Sequence, residues 1–390
     1  MSTTVIDVEA VRRRFSSLRS GFAFFDAPGG SQVPDEVGDA IARALREASA
    51  NLGAPYETGH RVAEILQRAR DDAARFLGCT PDEVVFGTNM TTLNFALTRT
   101  AGRDWREGDR VLATRLDHDG NVAPWLELAA DKGLHVDLVD VTPEGRLDLA
   151  DLERKLTDRT RVVSFPAASN AIGTITEARE ICALAREAGA LSWVDAVHFA
   201  AHERVDVAAI GCDVLVCSPY KFCGPHLGVA FGRAELLETW RPYKVRPAPT
   251  LPLGRRFETG TPQFELLAGF SATIAYLDSL GGIEPIREYE RELGNRLVDG
   301  LPDGVVLYGP QTMEVRVPTF LLNVEGVPAA TVATTLAEHG YGVWAHDSWY
   351  SLGLYKGLGY EHECIRAGII HYNTAEEVDG LLAELAALVP

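Results

Sequence analysis

The chain has 390 residues, 46% of them hydrophobic and 24% charged, the proportions of a soluble globular protein long enough for a full hydrophobic core or for two domains. Its 37 Lys and Arg face 55 Asp and Glu, a formal net charge of −18, which disfavours nucleic acid and anionic membrane as partners and requires any bound phosphate to be held locally. The opening MSTTVIDVEAVRRRF lacks the apolar stretch of a signal peptide, and no run is long enough to span a bilayer. Cys79, Cys182, Cys212, Cys217, Cys223 and Cys364 form neither a CxxC pair nor a regular framework, so a cytoplasmic protein is expected.

Along the chain, PDEVGDAIARALREA (34–48) and RVAEILQRARDDAARFLG (61–78) carry apolar residues three and four apart and predict helices, the second stopping at Gly78. Seven short apolar runs follow: EVVF (83–86), RVLAT (110–114), HVDLV (135–139), RVVSF (161–165), LSWVD (191–195), DVLVC (213–217) and GVAFG (228–232). Helical segments such as NVAPWLELAADKG and EAREICALAREAG lie between most of them. Such alternation indicates an α/β domain with a largely parallel sheet covered on both faces, binding ligands at the carboxyl ends of its strands. After about residue 265 come two long helices, then strands in EVRVPTFLLNV, YGVWA and IRAGIIHY, and a last helix, TAEEVDGLLAELAALV. The expected organisation is an N-terminal segment (1–25) packed on a small C-terminal α+β domain (266–390), with a large domain (26–265) between.

One lysine is oddly placed. Lys221, in CSPYKFCGPHLG, directly follows an apolar strand, and Asp195 ends the strand before it. If those strands are neighbours, both side chains project at one carboxyl edge. The pair is either an ion pair or the two anchors of pyridoxal phosphate, the amine as nucleophile and proton carrier, the carboxylate holding the ring nitrogen protonated. In FGTNMTTLNFAL (86–97) a strand end, Thr88 and Asn89 precede a helix, an arrangement that faces free backbone N–H groups toward an anion, though Thr and Asn also cap helices that bind nothing. Ser218 and Tyr220 offer hydroxyls to the same phosphate. His198 and His202, four apart, have no further ligand spacing, so no metal is expected.

The string VDAVHFAAHERVDVAAIGCDVLVCSPYKFCGPHLGVAFG resembles the cofactor segment of class V aminotransferases, a group containing cysteine desulfurases, kynureninase and isopenicillin N epimerase. FFDAPGGSQVP, LDHDGNVAPW, ASNAIGTI, RRFETGTPQ and IRAGIIHYNTAEEVD are similar to further segments of that family, in order over about residues 22 to 385. The resemblance implies the fold type I of pyridoxal-phosphate enzymes, a mainly parallel seven-stranded sheet in the large domain and a smaller C-terminal domain. It puts Lys221 on the Schiff-base lysine, Asp195 on the ring-nitrogen partner, His118 on the ring-stacking residue and proton shuttle, and His198 on the partner of the phenolic oxygen. Thr88, Asn89, Met90, Ser218 and Tyr220 fall on the phosphate site, Tyr220 replacing the histidine of some members. Thr261 falls on the residue that reaches the neighbouring subunit's cofactor, which implies a homodimer; Arg366 falls on the substrate-carboxylate arginine; and Asn170 is expected near cofactor and substrate.

The sequence departs from the desulfurases at one place. YGVWAHDSWYSLG (341–353), the segment that aligns with the loop carrying their persulfide-forming cysteine, has no cysteine, and Trp349 stands at about that position. A thiolate must attack the substrate sulfur in that chemistry, so desulfurase activity is not expected even where similarity invites the name. Trp344, Trp349, Tyr350, Tyr355 and Tyr360 crowd the same region and point to a substrate larger than cysteine. The expected activity is β-elimination from a cysteine S-conjugate. Transamination, oxidative deamination and epimerisation on the same fold remain alternatives, as does a non-catalytic binding protein.

Overall fold

The computed structural model describes residues 6–359 and 363–390. Tyr360, one of the aromatic residues noted above, lies outside them. Thirteen strands occur among the described residues: β1 Ala23–Phe24, β2 Val84–Gly87, β3 Arg110–Thr114, β4 His135–Val139, β5 Thr160–Pro166, β6 Leu191–Asp195, β7 Val214–Cys217, β8 Gly228–Gly232, β9 Val305–Tyr308, β10 Thr319–Val324, β11 Tyr341–Gly342, β12 Trp344–His346 and β13 Cys364–Gly368.

The seven apolar runs all enter one sheet, in the order β2-β8-β7-β6-β5-β3-β4. Strands β3 to β7 pair in parallel, whereas β8 runs against both β7 and β2. The reversal has a plain cause: the link from Cys217 to Gly228 is too short for a crossover helix and permits only an antiparallel return. Because β2 opposes β8, it runs with β7, and its carboxyl end meets those of β3, β5, β6 and β7 along one edge. Burial on both faces explains why these strands read as continuous Val, Leu and Ala rather than as an alternation.

The C-terminal part is a four-stranded antiparallel sheet, β12-β13-β10-β9, packed with the helices Ile283–Asp299, Ala329–Glu338 and Ala375–Leu388 around a core of its own that includes Phe320, Leu336, Ile365 and Leu381. Strand β9, the short apolar run VVLY, and the helix Ala329–Glu338 were not among the expected elements; the helix is mostly Ala and Thr, mediocre markers of period. The N-terminal segment touches both parts. Strand β1 pairs with β11, and Phe25 enters the smaller core, while Phe15 packs in the larger one, edge-on to Tyr276 and Tyr372.

No single helix among the described residues is long and apolar enough to cross a membrane; the adjoining helices Phe264–Ser279 and Ile283–Asp299 meet that test of length and composition only together, bent by 72°.

Candidate active site

Strands β6 and β7 are neighbours, with Asp195 opposite Val216, so Asp195 and the turn that carries Lys221 leave the same sheet edge side by side. A cavity at that edge is lined by Asn89, Met90, His118, Asp195, His198, Ser218, Tyr220 and Lys221, all expected there, and by Thr91 and Val197, which were not. Thr88 and Thr261 line a separate pocket instead. Asn170, Trp349 and Arg366 do not line this cavity but form one bonded and stacked group, near enough that the Arg366 charge acts on Lys221, His118 and His198.

Each side chain has a local cause for its position. Asn89 caps the helix Met90–Ala101, its Oδ1 accepting the Thr92 N–H at 2.8 Å, and the Met90 N–H donates to Ser218 Oγ at 3.1 Å. The positive end of a twelve-residue helix therefore faces the cavity. Gly228 lets β8 start against this turn, since a Cβ there would lie 2.6 Å from the Asn89 carbonyl. Beneath, a buried polar network binds the floor: Trp193 Nε1 donates to Asn94, Asn94 to Asn121, Asn121 to Asp117, and Asp117 accepts from the Thr114 hydroxyl at 2.6 Å. It holds the start of the helix Asp119–Lys132 and thereby His118, its cap.

His118 is held in one tautomer. Its Nδ1 accepts the Gly120 N–H at 2.8 Å, so the neutral ring carries its proton on Nε2, and protonating Nδ1 would break the cap. Burial and the nearby Lys221 and Arg366 lower its pKa to about 4. At neutral pH the uncharged His118 ring therefore presents its Nε2–H as a hydrogen-bond donor. Tyr350 stacks on it, with centroids 5.4 Å apart and rings 21° from parallel.

Burial lowers the Lys221 pKa to about 7, Arg366 adding to the effect while Asp26 and Asp195 oppose it. Its Nζ donates to the carbonyls of Pro28 and, at 3.2 Å, Gly29. Asp195, which accepts the Val197 N–H at 2.8 Å, is pushed up to about 6 by burial. His198 is driven well below the usual range, mainly by burial. His202, its partner in the spacing of four, is bound through Nδ1 to Glu290 at 2.6 Å.

Arg366 lies on β13 with its guanidinium 3.9 Å from the centre of the Trp349 ring. Its Nη1 donates to the Asn170 carbonyl at 2.9 Å. Asn170 also grips the covering loop: its Nδ2 donates to Trp349 O and its Oδ1 accepts from Ser351 Oγ, both at 2.7 Å. Trp349 is buried, and its Nε1 donates to Cys364 O at 3.3 Å. Among the described residues no cysteine lines the cavity, and burial raises the thiol pKa of Cys364, Cys217 and Cys223. Asp26, whose segment FFDAPGG reads only as a strand and turn, faces Arg366 at 3.7 Å. Nothing in the sequence marked it, because the contact joins positions 340 residues apart.

These features fit pyridoxal phosphate. A buried lysine near neutrality suits an amine that must attack an aldehyde, a buried carboxylate suits a ring cation, and a helix start with hydroxyls suits a phosphate. The fold is that of type I pyridoxal-phosphate enzymes. A profile described as Aminotransferase class-V matches residues 23–381, and the chain belongs to that family of pyridoxal-phosphate-dependent enzymes. Its relatives include the "Probable cysteine desulfurase 2" of Mycobacterium leprae (strain TN), 33% identical over 98% of this chain and 97% of the other. The "Aminotransferase-like protein FGM3" of Gibberella zeae is 31% identical over 99% of both. Among solved structures, the apo cysteine desulfurase of Thermococcus onnurineus NA1 superposes with a TM-score of 0.93 at 28% identity, covering 100% of this chain and 99% of the other.

Proposed function

We propose that this enzyme is a carbon–sulfur lyase that takes a cysteine S-conjugate and water to a thiol, pyruvate and ammonium. The observation that carries the reading is Trp349: where the aligned loop of the desulfurases brings a thiol, this chain brings a buried indole stacked on Arg366. Without a thiolate the transfer of sulfur to the protein has no acceptor, while bond cleavage at the β-carbon needs none.

Pyridoxal phosphate, held by Lys221, Asp195, His198, Asn89, Met90, Ser218 and Tyr220, supplies the electron sink that stabilises a carbanion at Cα. Arg366 takes the α-carboxylate with two N–H groups, and Asn170 keeps that arginine and the covering loop in one position. Lys221, once displaced, is a base near neutrality: it takes the Cα proton and returns it to the departing sulfur. His118 offers its Nε2–H as a fixed donor against the ring. The exposed Trp344, Tyr350 and Leu352 beside the site give a bulky S-substituent an apolar wall. Thr261, away from the Lys221 cavity in its own chain, serves the neighbour's phosphate in a cytoplasmic homodimer.

The test incubates the protein with S-benzylcysteine, S-ethylcysteine, cysteine and alanine. Thiol and pyruvate in equal amounts, best from the benzyl conjugate, are expected. A keto acid retaining the side chain would establish transamination or oxidative deamination instead, loss of chirality would establish epimerisation, and persulfide from cysteine would restore the desulfurase reading. Lys221→Ala should lose both the activity and the yellow colour of the lysine-bound cofactor. Colourless wild-type protein that takes up no pyridoxal phosphate would leave only a binding protein.

A further inference from the structure

Asp26 joins the site from the segment just after β1, forming an isolated parallel bridge with Gly368 at the end of β13. Its side chain is 36% exposed overall, but Oδ1 is buried and, among the described residues, has no donor within hydrogen-bond distance; Arg366 Nη2 stands 3.7 Å away, a charge contact rather than a close hydrogen bond. Arg366 Nε is buried and likewise without an acceptor. The turn after Asp26 presents the Pro28 and Gly29 carbonyls to Lys221, so this carboxylate stands near both cations of the site; burial raises its pKa, and Arg366 and Lys221 oppose that rise.

A ligand carboxylate that satisfies Arg366 Nε sets a second negative charge beside Asp26 Oδ1. Two carboxylates that close repel unless a cation or a proton comes between them. An α-amino acid carries that cation on the neighbouring carbon. From this geometry we infer that Asp26 reads the α-ammonium group: it accepts a hydrogen bond from the incoming amine and turns away carboxylates that lack one, 2-oxo acids included. The inference rests on the reading that the ligand is an amino acid held through its carboxylate at Arg366. It also bears on the reaction, since a site that repels 2-oxo acids releases pyruvate readily and resists the return half of a transamination. The turn does not depend on the charge: the Asp26 carbonyl accepts the Gly29 and Gly30 N–H groups, so Asp26→Asn preserves its backbone bonds.

The test titrates the holoenzyme calorimetrically with N,N-dimethylalanine, a zwitterion that cannot form an imine, and with its carbon isostere 2,3-dimethylbutanoate. The wild type should prefer the zwitterion by about tenfold or more, and Asp26→Asn should erase that preference to within about twofold by tightening the plain acid. Equal affinities in the wild type, a measurement that needs no variant, or a preference retained in Asp26→Asn would overturn the inference alone. Binding of neither ligand would overturn it together with the anchoring at Arg366.

Discussion

At the scale of the residue, His118 shows how a backbone bond decides chemistry. The Gly120 N–H occupies Nδ1, so nitrogen NMR of labelled imidazoles should find a neutral Nε2–H ring that does not titrate above pH 5; a protonated ring at pH 6 would contradict the capped tautomer. A folded pKa of about 4 against an unfolded value near 6.5 means that the unfolded chain binds the proton first as pH falls. Stability is therefore fully present above pH 6.5 and lost as pH falls toward 4, by about 3 kcal/mol from this group. Chemical denaturation of wild type and His118→Gln across that interval should show the wild type losing the larger share. Gly120→Ala should displace the ring, since an added Cβ meets His118 Nδ1 and Thr91 Oγ1 at 2.9 Å.

At the scale of the element, the covering loop is held in a conformation that it would not adopt alone. Trp349 and Tyr350 lie at φ of 52° and 55°, left-handed values that cost L-residues roughly 1–2 kcal/mol each. Asn170 secures Trp349 O and Ser351 Oγ, and the Asp119 N–H secures Tyr350 O at 2.6 Å. Asn170→Ala should release the loop, raising KM roughly tenfold with a smaller change in kcat; a fall in kcat at constant KM would show that Asn170 acts on the chemistry instead. A second buried tie sets the segment bearing Thr261. Glu258 pairs with Arg70 and Arg255 and accepts the Phe86 N–H at 3.0 Å. Glu258→Ala should cost about 3–5 kcal/mol in urea unfolding, because it strands buried guanidinium groups.

At the scale of the whole molecule, the proposed dimer makes a distinctive prediction. The chain of 42.4 kDa should sediment at twice that mass. If Thr261 acts across the interface, Lys221→Ala and Thr261→Ala homodimers are each impaired, while a hybrid of the two holds one site with both groups intact. Mixed and reassociated protomers should regain activity above either parent; no recovery would place Thr261 in its own chain's site or outside catalysis.

Much of this protein is legible without a structure because the signals are local. The seven strands are runs of apolar residues, the helix start at Asn89 is a cap, and Lys221 and Asp195 stand at strand ends where α/β sheets present their ligands. The family motifs fall in the same turns. What the tertiary structure decided depends on contacts between distant segments: the partnering of Asp26 with Arg366, the grip of Asn170 on a loop 179 residues away, and the stack of Tyr350 on His118. Even the His118 tautomer, set by a residue two positions on, needed geometry, because a sequence names the ring but not which nitrogen the backbone engages. Residue type and spacing determined the cofactor's cradle; the mutual placement of its charges, which governs what enters it, came only when β13 brought Arg366 against the Asn170 loop and Asp26.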